Sequence, residues 1–189
     1  MNGADLLSSG QPVTLEAMLH ARDSRAARQR QALDCYRLPL ISFSLVAPGA
    51  VKNSPVWLRV AEYAQREIAA VCQQMEWVSV WEARTDALSG PEWMAAVCAP
   101  AKALKRQLMM LEQQHPLGRL WDIDVMDSDG RSLSRRELGL PARQCLICQS
   151  EAHVCARGRA HSLNLLLDEI ARRIDSYERE RSDGTAYAS

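Results

Sequence analysis

Between Trp121 and Val125 apolar and acidic side chains alternate strictly, with Trp121, Ile123 and Val125 set against Asp122 and Asp124. A period of two belongs to a strand with one buried and one wet face, so this segment can enter a fold only as part of a half-covered sheet. The two carboxylates share the wet face. At roughly 6 to 7 Å between alpha carbons they can converge on a divalent cation that also holds phosphate oxygens. Metal-assisted phosphoryl or nucleotidyl transfer needs that arrangement. Asp-x-Asp alone is equally the ordinary wet side of an amphipathic strand, and only its context chooses.

The other elements follow from apolar spacing and punctuation. Thr14 is a partial helix cap, with Ala17 where a reciprocal capping acid would stand, and it leads into the basic tract Arg22, Arg25, Arg28 and Arg30. Leu38 to Ala47 reads as a buried strand stopped by Pro48-Gly49. Ser54-Pro55 opens a helix carrying Val56, Val60, Ala64, Ile68, Val71 and Met75 on one face. Trp77 to Ala83 and Glu92 to Cys98 form strands around the turn Leu88-Ser89-Gly90-Pro91, a hairpin. Pro100 opens a second helix with Leu104, Leu108 and Leu111 aligned, and His115-Pro116 ends it before the Asp-x-Asp strand.

The order strand, helix, strand, strand, helix, strand predicts an α+β fold. An antiparallel sheet carries helices on one face, in a ferredoxin-like βαββαβ core with N- and C-terminal helices added. The turn Asp127-Ser128-Asp129-Gly130 predicts a short return strand from Arg131 to Ser134, and Ala160 to about Arg179 a terminal helix with Leu163, Leu166, Leu167, Ile170 and Ile174 as its stripe. The chain divides into an N-terminal helical arm over 1–37, a catalytic core over 38–135, and a cysteine-bearing loop with the C-terminal helix over 136–189, within one domain overall.

Charge balances at 23 basic against 23 acidic residues, which gives no reason to expect a nucleic-acid polymer or an anionic membrane as partner. No apolar run is long enough to span a bilayer and no basic-then-apolar leader opens the chain, so a cytoplasmic protein is expected. In that compartment six cysteines argue against a disulfide framework. Cys145, Cys148, Cys155 and His161 instead offer three thiolates and an imidazole for structural Zn²⁺. The later spacings match no standard finger and His153 competes with His161, so buried thiols remain the other reading.

Arg119, Arg135, Arg136, Arg143, Arg157 and Arg159, with Lys52, surround both features and suit phosphate. His115 reads either as a general base or as the residue that ends its helix, and Glu92 as a third carboxylate or an exposed strand start.

Several stretches together carry a resemblance. They are Arg22-Asp23 with Arg25, Ala27, Arg28 and Gln29; Ala47-Pro48-Gly49 with Lys52; Ser89-Gly90-Pro91-Glu92; and His115-Pro116-Leu117-Gly118-Arg119-Leu120-Trp121-Asp122-Ile123-Asp124-Val125. Ser134-Arg135-Arg136, Arg143 to Cys148 and Cys155-Ala156-Arg157-Gly158 complete the set. Over about residues 14 to 170 the chain resembles the apo-citrate lyase phosphoribosyl-dephospho-CoA transferases, the holo-citrate lyase synthases. The resemblance implies transfer of a phosphoribosyl-dephospho-CoA group from 2'-(5''-triphosphoribosyl)-3'-dephospho-CoA to a serine of the acyl carrier (gamma) subunit of citrate lyase, with release of diphosphate.

For that reaction, chemistry assigns Asp122 and Asp124 to Mg²⁺, with one of them orienting or deprotonating the serine, and His115 as a further catalytic candidate. Arg119, Arg135 and Arg136 would take the triphosphate, with Lys52, Arg22 and Arg25 as further substrate-binding cations. Two alternatives are a nucleotidyl transferase acting on another carrier, and a non-catalytic zinc-stabilised module that binds the carrier.

Overall fold

The computed structural model describes the backbone of residues 3–186 and the side chains of 3–183. Its helices are α1 (Gly3–Leu7), α2 (Leu15–Tyr36), α3 (Pro55–Gln74), α4 (Ala101–Gln114), α5 (Ala152–Gly158) and α6 (Leu163–Ala186). Its strands are β1 (Leu40–Leu45), β2 (Val78–Ala87), β3 (Gly90–Cys98) and β4 (Trp121–Met126). The strands lie in the order β2-β3-β1-β4 with every neighbour antiparallel. Two strand–helix–strand halves interleaved in this way make the ferredoxin-like arrangement that the element order predicts.

Local chemistry sets the boundaries. Ser54 caps α3 by accepting from the Trp57 N–H, and Pro55 occupies the first helical position, where its missing donor costs nothing. Ala87 pairs with Gly90 across a two-residue hairpin loop, and Gly90 takes φ +108, a conformation that side chains disfavour. After α4 the chain doubles back so tightly that a side chain at Gly118 would collide with the Glu112 carbonyl.

One sheet face carries the main core. Ile41, Phe43, Trp93, Ala95, Trp121, Ile123 and Val125 pack against Trp57, Val60, Ile68, Leu104 and Leu108 of α3 and α4, and against Leu167, Ile170 and Ile174 of α6. These side chains are nearly all fully buried. At ~25 cal/mol per Å² of apolar surface, each large one contributes about 2 kcal/mol.

The second face is covered at its centre by α2. Ala32 and Leu33 pack on Leu40, Met94 and Ala96, and Tyr36 stacks on Trp81 at 5.4 Å. Helix α2 therefore covers the polar side of the sheet.

Several stretches differ from the sequence reading: β2 runs on to Ala87 and β3 begins at Gly90, so that the hairpin loop is Leu88-Ser89. The segment after Gly130 forms a single bridge, Met126 to Ser132, instead of a return strand, and then Leu133 turns into the core. The terminal helix starts three residues later than expected, where Ser162 accepts from the Leu165 N–H as a cap. A short helix, α5, rises within the cysteine-bearing loop.

Candidate active site

Strand alternation sends Asp122 and Asp124 away from the main core, beside Ser44 and Ser42 of β1, their direct partners in the register. Glu92 projects from β3 on the same face, two residues before Met94, which pairs with Ser42. Gln29 of α2 reaches down to donate to the Ser42 hydroxyl at 2.9 Å. The polar face under α2 thus gathers two aspartates, two serines, one glutamate and the arginines of the helix.

Glu92 is buried, and both of its oxygens are taken, by Arg25 and Arg28 at 2.6 Å each. It is not free to ligate a cation. Its role is to pin α2 and to hold the Arg25 guanidinium where its charge reaches Asp124. Arg28 also donates to Thr85, tying β2 into the same network.

Asp122 and Asp124 are half exposed, each in one ion pair. Arg143 donates to Asp122 at 3.2 Å, and the Lys105 ammonium lies 3.8 Å from Asp124. Burial, then the neighbouring Asp122 carboxylate, push the Asp124 pKa above the ordinary carboxylate range, against the pull of Lys105, Arg25 and Arg143. Two hard oxygen donors on one wet face, with coordination positions left open, suit Mg²⁺ that keeps water and substrate phosphates as its other ligands.

The outer edge of β4 adjoins a cleft of about 320 Å³ lined by Arg119, Arg135, Arg143, Glu112, Pro141 and Gln144. Arg119 donates to the carbonyl and side chain of Gln144 at 2.8 and 2.9 Å. Arg143 donates to the Arg119 and Trp121 carbonyls as well as to Asp122. Arg135 is held by the buried Glu112. Burial first, then the nearby cations Arg143, Arg173 and Arg135, lower the Arg119 pKa, with Glu112 opposing. Guanidinium groups crowded together in this way leave the cleft receptive to an anion.

His115, Lys52, Arg22 and Arg136 are the remaining sequence candidates. His115 stacks on Trp121 at 4.3 Å and meets the Tyr177 ring at 5.0 Å, on the core side of the sheet, opposite the aspartates. Its Nδ1 accepts from the Leu117 N–H at 3.0 Å, and burial, then Arg181, lower its pKa to about 4. This residue ends α4 with its half-buried ring against a tryptophan. Lys52 turns back onto the Ala47 carbonyl and closes the loop after β1, burial lowering its pKa. Arg22 is exposed on α2, one turn before Arg25, and Arg136 is exposed on the short turn Arg136–Leu138.

In the C-terminal region Cys145, Cys148, Cys155 and His161 bring their ligand atoms within 4.8 Å of one another. Cys148 Sγ is 3.5 Å from Cys155 Sγ and 3.4 Å from His161 Nε2. Zinc–sulfur bonds of about 2.3 Å in a tetrahedron separate neighbouring sulfurs by roughly 3.8 Å, so the cluster fits a structural zinc. His153, the competing imidazole, points instead to Glu151 at 3.3 Å. Hydrogen bonds from Ser150, then Cys155 and His161, bring the Cys148 pKa down to about 6, and its bond to Cys148 is the largest influence pushing Cys155 up to about 11. Among the described residues no helix is long and apolar enough to cross a membrane.

Residues 13–177 match the family model described as apo-citrate lyase phosphoribosyl-dephospho-CoA transferase. The chain belongs to that family. Relatives carrying the same description include proteins of Shigella boydii serotype 18, Escherichia coli O157:H7 (strain EC4115 / EHEC) and Escherichia coli (strain SE11). Each is 43% identical over 164 residues, which span 87% of this chain and 90% of the relative. The chain is accordingly a transferase.

In this member of the apo-citrate lyase phosphoribosyl-dephospho-CoA transferase family, two residues at the site's edge were missed by sequence reasoning. Lys105 and Glu112 are buried charges on α4, and they cap the open edge of β4 by donating to the Ile123 carbonyl at 2.7 Å and accepting from its N–H at 2.9 Å. Their signal was available: Lys105, Met109 and Glu112 form a second helical stripe beside Leu104, Leu108 and Leu111.

Proposed function

We propose that this transferase attaches a phosphoribosyl-dephospho-CoA group to a serine of the acyl carrier subunit of citrate lyase, using 2'-(5''-triphosphoribosyl)-3'-dephospho-CoA as donor and releasing diphosphate. The observation that carries this reading is the juxtaposition of the Asp122/Asp124 pair with the arginine cleft, joined by Arg143, within a chain of that family.

Arg119, Arg135 and Arg143 bind the triphosphate and fix its innermost phosphorus beside the aspartates. The serine hydroxyl forms the new phosphorus–oxygen bond while the bond to the bridging oxygen of the departing diphosphate breaks. One of the two carboxylates orients the serine hydroxyl and accepts its proton. Asp122 and Asp124 would hold Mg²⁺, which when bound spreads the charge of the reacting phosphates. Arg25 and Arg28, fixed by Glu92, add positive potential on the sheet face under α2. The cysteine cluster holds zinc as a structural element.

The test incubates the protein with apo carrier, the triphosphate donor and Mg²⁺ and weighs the carrier by mass spectrometry. The wild type adds one prosthetic group per carrier. Asp122→Asn and Asp124→Asn lower the rate by about 10³-fold or more while the melting temperature stays within a few degrees, since both side chains lie on the wet face. Wild-type rates in either variant with Mg²⁺ present would remove the aspartates from the mechanism, and an unmodified carrier with the wild type would remove the reaction.

A further inference from the structure

The apolar stripe of α6 divides along its length. Leu167, Ile170 and Ile174 are buried in the core, but Leu163 remains 45% exposed and, with Leu166, faces a cavity of about 900 Å³. The opposite wall is the end of β1 and its loop, Leu45 to Gly49, and the floor includes Leu146 and Ala156. Aliphatic groups dominate, His161 supplies the aromatic ring on the lining, and Arg159 the guanidinium. The stretch from Arg143 to Leu146 serves two sites at once: Arg143 and Gln144 line the arginine cleft, and Cys145 and Leu146 line this cavity.

We infer that this cavity binds the pantetheine arm of the dephospho-CoA donor, while the triphosphate end lies in the arginine cleft on the other side of the same segment. The inference rests on the donor named under the proposed function and adds where its unreactive end is held. Cavities of this size and lining are ordinary small-molecule sites. Pantetheine is an extended chain of methylene, gem-dimethyl and amide groups ending in a thiol, and aliphatic walls match it. Adenine prefers a broad aromatic face to stack on, whereas the ring here, His161, is engaged with Cys148 in the cysteine cluster. Donor and cavity also agree in sequence: the reacting phosphate and the pantetheine are at opposite ends of the donor, as the two sites are at opposite sides of the 143–146 segment.

Calorimetry with dephospho-CoA and with ADP, which lacks the pantetheine, tests this on the intact protein. Dephospho-CoA is expected to bind at least tenfold more tightly than ADP. Ala156→Trp and Val46→Trp fill the cavity from two walls at exposed positions, so that if one fails to fold the other decides. Each is expected to abolish the preference, leave ADP binding unchanged, and raise KM for the donor at least tenfold with KM for the carrier unaltered. Equal affinity for dephospho-CoA and ADP, or a preference that survives in the folded variants, overturns the assignment even if wild-type transfer proceeds. A preference lost in the variants while the wild type leaves the carrier unmodified upholds the pantetheine site and sinks the proposed reaction instead.

Discussion

His115 shows how a residue suited to catalysis can be committed elsewhere. Its ring is stacked between Trp121 and Tyr177 and its Nδ1 accepts a backbone hydrogen bond, so protonation would charge a desolvated group beside Arg181. The folded pKa of about 4, against an ordinary 6.5, means the unfolded chain binds this proton first. Stability from this group is therefore present at neutral pH and is lost as pH falls from 6.5 towards 4. Between pH 7 and pH 5 the loss is about 2 kcal/mol. His115→Phe keeps the ring stack but cannot titrate, so its urea midpoint should move less than the wild type's over that interval. Identical shifts in the two proteins would show that His115 is not the group responsible. The sequence left base and helix terminator open because both are served by a histidine before proline, and only its partners choose.

Strand β4 lies at the edge of the sheet, where unpaired backbone groups invite aggregation. Here they are occupied: the Trp121 carbonyl by Arg143, both Ile123 groups by Glu112 and Lys105, and the Val125 carbonyl by the Leu133 N–H. Glu112 also neutralises the Arg135 guanidinium, and burial pushes its pKa up despite Arg143, the Ile123 N–H, Arg135 and Lys105. Glu112→Ala should cost about 3 kcal/mol in urea denaturation, because it strands a buried guanidinium and a backbone donor. Adding Arg135→Met should restore part of that loss by removing the uncompensated charge. Equal stability of single and double variants would mean that the pair is not coupled. The elements themselves were legible, since β4, α3 and α4 announce themselves by period and by Ser54-Pro55, Pro100 and His115-Pro116. The seat of α2 was not, because just Ala32 and Leu33 of that helix are buried. It is anchored by Arg25, Arg28 and Gln29 to partners on β3 and β1, and pairings between distant segments leave no local pattern.

At the scale of the whole molecule, the cysteine cluster joins the loop after β4 to α5 and the start of α6, and those same segments wall the proposed pantetheine cavity. Cys145-x2-Cys148 was readable as a metal knuckle with Cys155 and His161 as its further ligands, and the fold removes the competing His153, because α5 turns it towards Glu151. The sheet has its own core independent of these ligands, so loss of metal should act locally. Purified protein should carry about one zinc, as a closed structural site does. Stripping it with a chelator should raise amide hydrogen exchange across 143–161 while β1 to β4 keep their protection. If the cavity depends on that frame, dephospho-CoA affinity should fall in parallel with zinc content and return on remetallation. Zinc at a tenth of an equivalent or less, or exchange unchanged by the chelator, would show that packing alone holds the segment. An affinity that stays constant while the 143–161 amides open would instead separate the metal from the cavity wall, leaving Leu45 to Gly49 and α6 as its support.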